Sequence, residues 1–249
     1  MVQPNELTTW CDTLLDAGSF DDYCPNGLQV EGTRPVGKLA TGVTASLDLI
    51  EAAADWGADA LLVHHGYFWR GEPAALTGMK GRRIRALYAH DMSLLAYHLP
   101  LDAHASLGNN AQLAIRLGLA QPVAPAGPGL LWRAELDPAL TPEELGQRID
   151  DALGREPLHI AGGPGRIHRV GWCTGGAQGF IDEAASAGLD AYISGEISEP
   201  TVHVARERGI HYFAAGHHAT ERYGVQALGQ KIAQAFQVEH RYFEIDNPV

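Results

Sequence analysis

The segment Gly57-Ala58-Asp59-Ala60-Leu61-Leu62-Val63 restricts how this chain can fold more than any other. Its closing apolar run has no polar alternation, as expected of a strand covered on both faces. It follows a helically spaced stretch, Leu47 to Trp56, that stops at Gly57, and it precedes His64-His65-Gly66. The same design returns as Gly188-Leu189-Asp190-Ala191-Tyr192-Ile193-Ser194, again after a helix and before polar residues. The shared Gly-x-Asp-Ala predicts a duplication: an α/β protein of two similar units with largely parallel sheets. Any two strand–helix–strand units share part of this pattern, so the duplication rests on those few common residues.

The rest of the chain continues the alternation. A helix is expected over Glu6 to Asp16, capped by Asn5 and stopped by Gly18, with Leu7, Trp10, Cys11, Leu14 and Leu15 on one face. Strands are expected at Leu28–Val30, Leu39–Val43, Ser93–Tyr97, Leu130–Leu136, Leu158–Ile160, Val170–Cys173, Tyr212–Ala215 and Arg241–Ile245. Helices are expected up to His90, from Asn109 or Asn110 to Leu117, after the capping box Thr141-Pro142-Glu143-Glu144, up to Ser186, over Pro200–Arg208 and up to Phe236. The Pro- and Gly-rich stretch 122–129 is the predicted linker between a first half, 1–121, and a second half, 130–249.

Composition narrows the function classes. The 249 residues carry 18 Lys and Arg against 30 Asp and Glu, a formal net charge of −12, which speaks against a general nucleic-acid binder. The basic cluster Lys80, Arg82, Arg83 and Arg85 is read as an exposed helix face. No apolar run reaches membrane-helix length, and the start lacks a basic-then-apolar signal, so no membrane association is expected. Cys11, Cys24 and Cys173 are spread too widely for a disulfide framework or a zinc motif, which points to a reducing cytoplasm.

Three strand ends collect metal-ligand chemistry. His64-His65 follows a buried strand, where α/β sheets gather ligands, and adjacent side chains diverge far enough to serve two ions. Two loop histidines bonded to backbone would look the same. His98-Leu99-Pro100-Leu101-Asp102 follows another strand; Pro100 suggests an extended or turning segment that brings His98 and Asp102 to one pocket. In Gly216-His217-His218-Ala219-Thr220-Glu221, the buried stripe Val225, Leu228 and Ile232 extends backwards to Glu221 and then His217. A carboxylate on that face is costly without a cation, and the i, i+4 spacing lets both side chains bind one. His64, His65, Asp102, His217 and Glu221 form a mixed N/O set suited to two divalent first-row ions (Fe, Zn or Mn), with open positions for hydrolytic chemistry. His98 and Glu196 are the general-base candidates, with Glu199 and His203 close to the latter. Thr174-Gly175-Gly176 is read as a tight turn in preference to a phosphate cradle.

Asn26-Gly27-Leu28-Gln29-Val30-Glu31-Gly32, His64-His65-Gly66, His98-Leu99-Pro100-Leu101-Asp102 with Gly108-Asn109-Asn110, and Gly216-His217-His218-Ala219-Thr220-Glu221 occur in this order. Together they resemble the dinuclear metal-binding family of GTP cyclohydrolase 1 type 2 homologues, specifically its short bacterial members, along essentially the whole chain. The resemblance implies two intertwined α/β domains, a toroidal homohexamer, and metal ligands at His64, His65, Asp102, His217 and Glu221, with His98 beside the metals. The long insert between halves that other members carry is missing. The expected function is that of a metal-dependent hydrolase acting on a small-molecule substrate, a purine nucleotide or related heterocycle, through a metal-bridged water. The alternative is a non-catalytic protein that stores or delivers metal.

Overall fold

The computed structural model describes residues 1–127 and 129–249; Pro128, which falls in the expected linker, lies outside the described residues. Two five-stranded mixed sheets organise the chain. The first has the order β1-β4-β3-β2-β10, built from β1 (Gly27–Val30), β2 (Lys38–Thr44), β3 (Ala60–His65), β4 (Ser93–Ala96) and β10 (Glu239–Tyr242). Only β1 runs antiparallel to its neighbour. The second has the order β5-β7-β8-β9-β6, from β5 (Trp132–Leu140), β6 (Leu158–Ile160), β7 (Ile167–Cys173), β8 (Ala191–Ser194) and β9 (His211–Ala214). Here β5 and β6 are the antiparallel edges of a parallel centre.

The helices are α1 (Pro4–Leu15), α2 (Leu47–Trp56), α3 (Gly78–Ala89), α4 (Leu99–Ala103), α5 (Asn109–Arg116), α6 (Pro142–Leu153), α7 (Ile181–Ser186), α8 (Glu199–Arg208) and α9 (His217–Phe236). No helix among the described residues is long and apolar enough to cross a membrane. The chain divides into two compact units, Met1–Gly108 with Gly224–Asp246, and Asn109–Tyr223 with Asn247–Val249. These units are interleaved along the sequence, where the halves 1–121 and 130–249 were expected to follow one another. Strand β10 is the reason for the first unit's second segment, since it pairs in parallel with β2.

In the first unit the period-two rule separates two apolar faces. Leu39, Leu62 and Leu95 cluster with Leu7 and Cys11 of α1 and with Val225, Leu228 and Ile232 of α9. Ala40, Leu61, Val63, Leu94 and Ala96 cluster instead with Leu49, Ile50 and Ala53 of α2 and with Ile84 and Leu87 of α3. The unbroken apolar run at 60–63 thus reflects a sheet buried on both sides. The second unit repeats the arrangement: Val170, Trp172, Ile193 and Phe213 face α5 and α6, while Cys173, Tyr192 and Tyr212 face α7 and α8.

The duplication extends to single hydrogen bonds. Gly57 and Gly188 both adopt the left-handed conformation after a helix. Two residues on, Asp59 accepts the N–H groups of Gly37 and Lys38 through Oδ2, and Asp190 accepts those of His168 and Arg169 through Oδ2. Each aspartate thereby anchors the start of the preceding strand.

Several boundaries differ from the sequence expectation. Helix α1 starts at Pro4, because proline is tolerated in a first turn, and Asp16 in the left-handed conformation ends it. The expected Asn5 cap instead donates its side-chain amide to Glu31. The segment after His98 is the short helix α4, with Pro100 in its first turn, where no N–H is needed. Asn109 and Asn110 lie inside α5, and the closing strand ends at Tyr242. Lys80 is buried: its ammonium donates to the Pro73 carbonyl and pairs with Glu72, so the basic stretch is not a uniformly exposed face.

Candidate metal centre

In the first unit, β3 delivers His64 and His65 at its carboxyl end, and the β4–α4 connection delivers His98 and Asp102. One ring nitrogen from each of His64, His65 and His98 lies within 4.8 Å of the others. Ring centroids are 4.6 Å apart for His64 and His65, 5.1 Å for His64 and His98, and 5.8 Å for His65 and His98. His64 is fully buried, and its Nδ1 donates to the Tyr97 carbonyl at 2.9 Å. A carbonyl only accepts, so Nδ1 carries a proton, and the other ring nitrogen, Nε2, lies 3.5 Å from Asp102 Oδ1. A buried imidazole nitrogen and a buried carboxylate oxygen this close could hold a cation between them. His65 Nδ1 lies 3.1 Å from the Thr44 hydroxyl.

His98 is fixed from outside this group by Asp22, a residue the sequence reading did not single out. Its Nδ1 lies 2.7 Å from Asp22 Oδ1. Asp22 Oδ2 accepts from Asn26 and from the Leu99 N–H, and the Asn26 side-chain oxygen accepts the His98 N–H. Burial alone would raise the pKa of Asp22. The bonds from His98, Asn26 and Leu99 outweigh it and hold the carboxyl at about 2. The Asn26-Gly27 motif is therefore a clasp between the β1 approach and the β4 exit. Gln29, in the same motif, both accepts from and donates to the Tyr67 backbone just past the histidines. A Cβ at Gly66 would collide with that Gln29 side chain. Cys24 lies beside Asp22 and His98, but burial and the Asp22 charge push its thiol up to about 12, away from thiolate ligation.

In the second unit, His217 and Glu221 stand one turn apart at the start of α9. His217 Nε2 is 3.1 Å from Glu221 Oε2, and its Nδ1 is 2.7 Å from Glu196 Oε1. Glu221 is 3% exposed, so the stripe traced back from Val225 did lead to a buried carboxylate. Burial would lower the pKa of His217; Glu221 and then Glu196 outweigh it and bring the imidazole to about 9. Thr174-Gly175-Gly176 forms the floor. Gly175 has φ +68°, and a Cβ there would collide with the Glu221 carboxylate and stand 3.2 Å from His217 Nε2. The turn's amides are committed internally, Thr174 N–H to Asn110 Oδ1 and Gly175 N–H to Thr220 Oγ1, which suits a tight turn better than a phosphate cradle. Glu199 and His203 form an exposed i, i+4 pair on α8.

The donors in each unit are hard carboxylates and borderline imidazoles, groups that could hold a metal ion. The glycine pressed against Glu221 and the buried approach of His64 Nε2 to Asp102 Oδ1 fit a metal ion.

Known proteins carry the same arrangement of chain. A "GTP cyclohydrolase 1 type 2 homolog" of Vibrio cholerae is 58% identical over 255 residues, spanning 98% of both chains. One from Allochromatium vinosum is 54% identical over 250 residues, covering 100% of this chain and 98% of its own. The solved structure of protein ybgI, described as of unknown function, superposes with a TM-score of 0.96 at 47% identity over 100% of both chains. Residues 2–248 match the family description Duf34/NIF3 (NGG1p interacting factor 3). With that match over nearly its full length, on a fold of two mixed sheets with histidines at their strand ends, the chain belongs to the Duf34/NIF3 family.

Proposed function

We propose that the protein is a hydrolase that depends on two divalent ions, held by His64, His65, Asp102, His217 and Glu221. The observation that carries this reading is the tautomer control of the imidazoles. Among the proposed ligands, His64 is bonded through Nδ1 to a backbone carbonyl, and His217 is bonded through Nδ1 to a carboxylate. Such partners fix Nε2 as the metal-facing nitrogen and raise its basicity. Divalent ions at such a site, Fe, Zn or Mn, supply Lewis acidity and lower the pKa of a bound water.

The chain's own residues supply the rest. Glu196 holds His217 in register from an only partly exposed position, from which it can also carry a proton. The names of the relatives support a purine nucleotide or related heterocycle as the substrate class. The buried thiols of Cys11, Cys24 and Cys173 support a reducing, cytoplasmic setting. A homohexamer is part of the proposal, to be read by light scattering on the purified protein.

The test is metal analysis of protein purified without chelators, followed by turnover of GTP and a panel of phosphoesters. His64→Ala and Glu221→Ala should each lower metal content while circular dichroism stays unchanged. Unchanged stoichiometry in both variants would refute the ligand assignment. A metal-replete protein that turns over nothing yet passes metal to an apo-acceptor would establish storage or delivery instead.

A further inference from the structure

A cleft of about 700 Å³ opens in the first unit between the approach to β1 and the loop that follows β3. The loop presents Phe68, an exposed ring on a backbone with φ +66°. A bulky residue is rarely found in that conformation and persists there only where its surroundings hold it. Glu72 Oε2 accepts the N–H groups of Phe68 and Trp69 at 2.8 and 3.2 Å, and Lys80 pairs with Glu72 and sits 5.8 Å over the Phe68 ring. From the other segment, the exposed Tyr23 ring packs edge-on against His98 at 6.3 Å, which sets the cleft beside the candidate metal centre. Arg70 latches the two segments together. Its backbone N–H donates to the Tyr23 carbonyl at 2.6 Å, and its guanidinium donates to Asp21 Oδ1 at 2.8 Å and to the Asp22 carbonyl at 3.1 Å. The charged lining consists of Asp12, Asp21, Asp22 and Arg70, an excess of acceptors.

We propose that this cleft binds a planar heteroaromatic ring with an N–H-rich edge, a guanine-type base, against the Phe68 and Tyr23 rings and with its donor edge on the Asp21 carboxylate. Aromatic side chains accept any base by its π face, so stacking alone does not choose among rings. The carboxylate chooses: an ionised carboxylate only accepts, and guanine offers adjacent N1–H and 2-amino donors, whereas adenine sets an acceptor beside its one donor group. Three carboxylates to one guanidinium repel a phosphate, so the base end enters and any phosphate stays outside. The inference rests on the purine-nucleotide reading for its substrate class, and not on the metal ions or on hydrolysis.

Nucleoside binding to the whole chain, treated with chelator and followed by titration calorimetry, tests it. Wild type should bind guanosine, bind adenosine roughly 10-fold more weakly, and bind GTP no more tightly than guanosine. Phe68→Ala should weaken guanosine binding by roughly 10-fold, and Phe68→Tyr should keep it, since the stacking face is retained. Asp21→Asn, at an exposed side chain, should narrow the gap between guanosine and adenosine, and it gives a reading even if Phe68→Ala fails to fold. Wild type that binds no guanosine, that binds both nucleosides equally, or whose affinity is unchanged in both Phe68→Ala and Asp21→Asn would overturn the pocket. So would Phe68→Ala protein that keeps its guanosine affinity but changes mass in light scattering, which would mark a contact between subunits. In those cases metal-dependent turnover of another substrate class would leave the hydrolase reading standing. Guanosine binding without turnover of any substrate by the metal-loaded protein would refute hydrolysis and leave the pocket in place.

Discussion

A methyl group at position 175 would occupy the space of the Glu221 carboxylate, whereas one at Gly57, also in the left-handed region, would meet nothing within 4 Å. The pair separates backbone strain from site geometry. Gly57→Ala should cost about 1–2 kcal/mol, the penalty of a left-handed L-residue, and leave metal content unchanged. Gly175→Ala should cost more and reduce metal content, as read by urea unfolding and elemental analysis. Asp22 gives a second residue-scale expectation. Its pKa is about 2 in the folded chain against an ordinary 3.8, so it stabilises above the ordinary value and loses that contribution as pH falls toward 2. Metal-free Asp22→Asn should be about 2 kcal/mol less stable than wild type at pH 7, and the gap should close below pH 4. His217 and Glu221 were legible in the sequence because helical spacing ties them to an apolar stripe. Asp22 was not, because its partner lies 76 positions away and no local pattern links them.

At the scale of elements, the alternation of strand and helix was legible because each central strand is buried on two faces and each helix on one. Local rules failed where tertiary pairing decides. Pro100 argued against helix, yet a first turn tolerates it; β10 carries no signal that it will close a sheet begun at β2. The Gly-x-Asp-Ala repeat carried more than its length suggested, because its aspartates do equivalent work. Asp59→Ala and Asp190→Ala each strip the acceptor from two backbone N–H groups and from a nearby arginine, Arg34 or Arg169. Each variant should lose about 1–3 kcal/mol, and similar losses in the two would identify the aspartates as equivalent parts of a repeated unit. Urea midpoints measured side by side decide this; one silent variant would break the equivalence.

At the scale of the whole molecule, protonation and stability are linked through His217, and the proposed ligand role adds metal loading to that linkage. In the metal-free chain its pKa of about 9 exceeds the ordinary 6.5, so its ion pairs with Glu221 and Glu196 stabilise fully below 6.5. That contribution is lost as pH rises through 9. With His217 as the ligand proposed above, the same proton would compete with metal for Nε2, so apparent metal affinity should fall by up to about tenfold for each pH unit below 9. The two effects have the same sign when the loaded and metal-free proteins are compared. From pH 6.5 to 9 the metal-free melting temperature should decline, while added metal should stabilise by an increasing margin, since a ligand that binds only the folded chain stabilises it in proportion to the logarithm of one plus the ratio of free ligand to Kd. Calorimetry of both forms across that range provides the check. In His217→Ala the upward trend of the margin with pH should flatten, because neither the ion pairs nor the competing proton remain. A margin that stays constant with pH in the wild-type protein would show that His217 does not exchange its proton for metal.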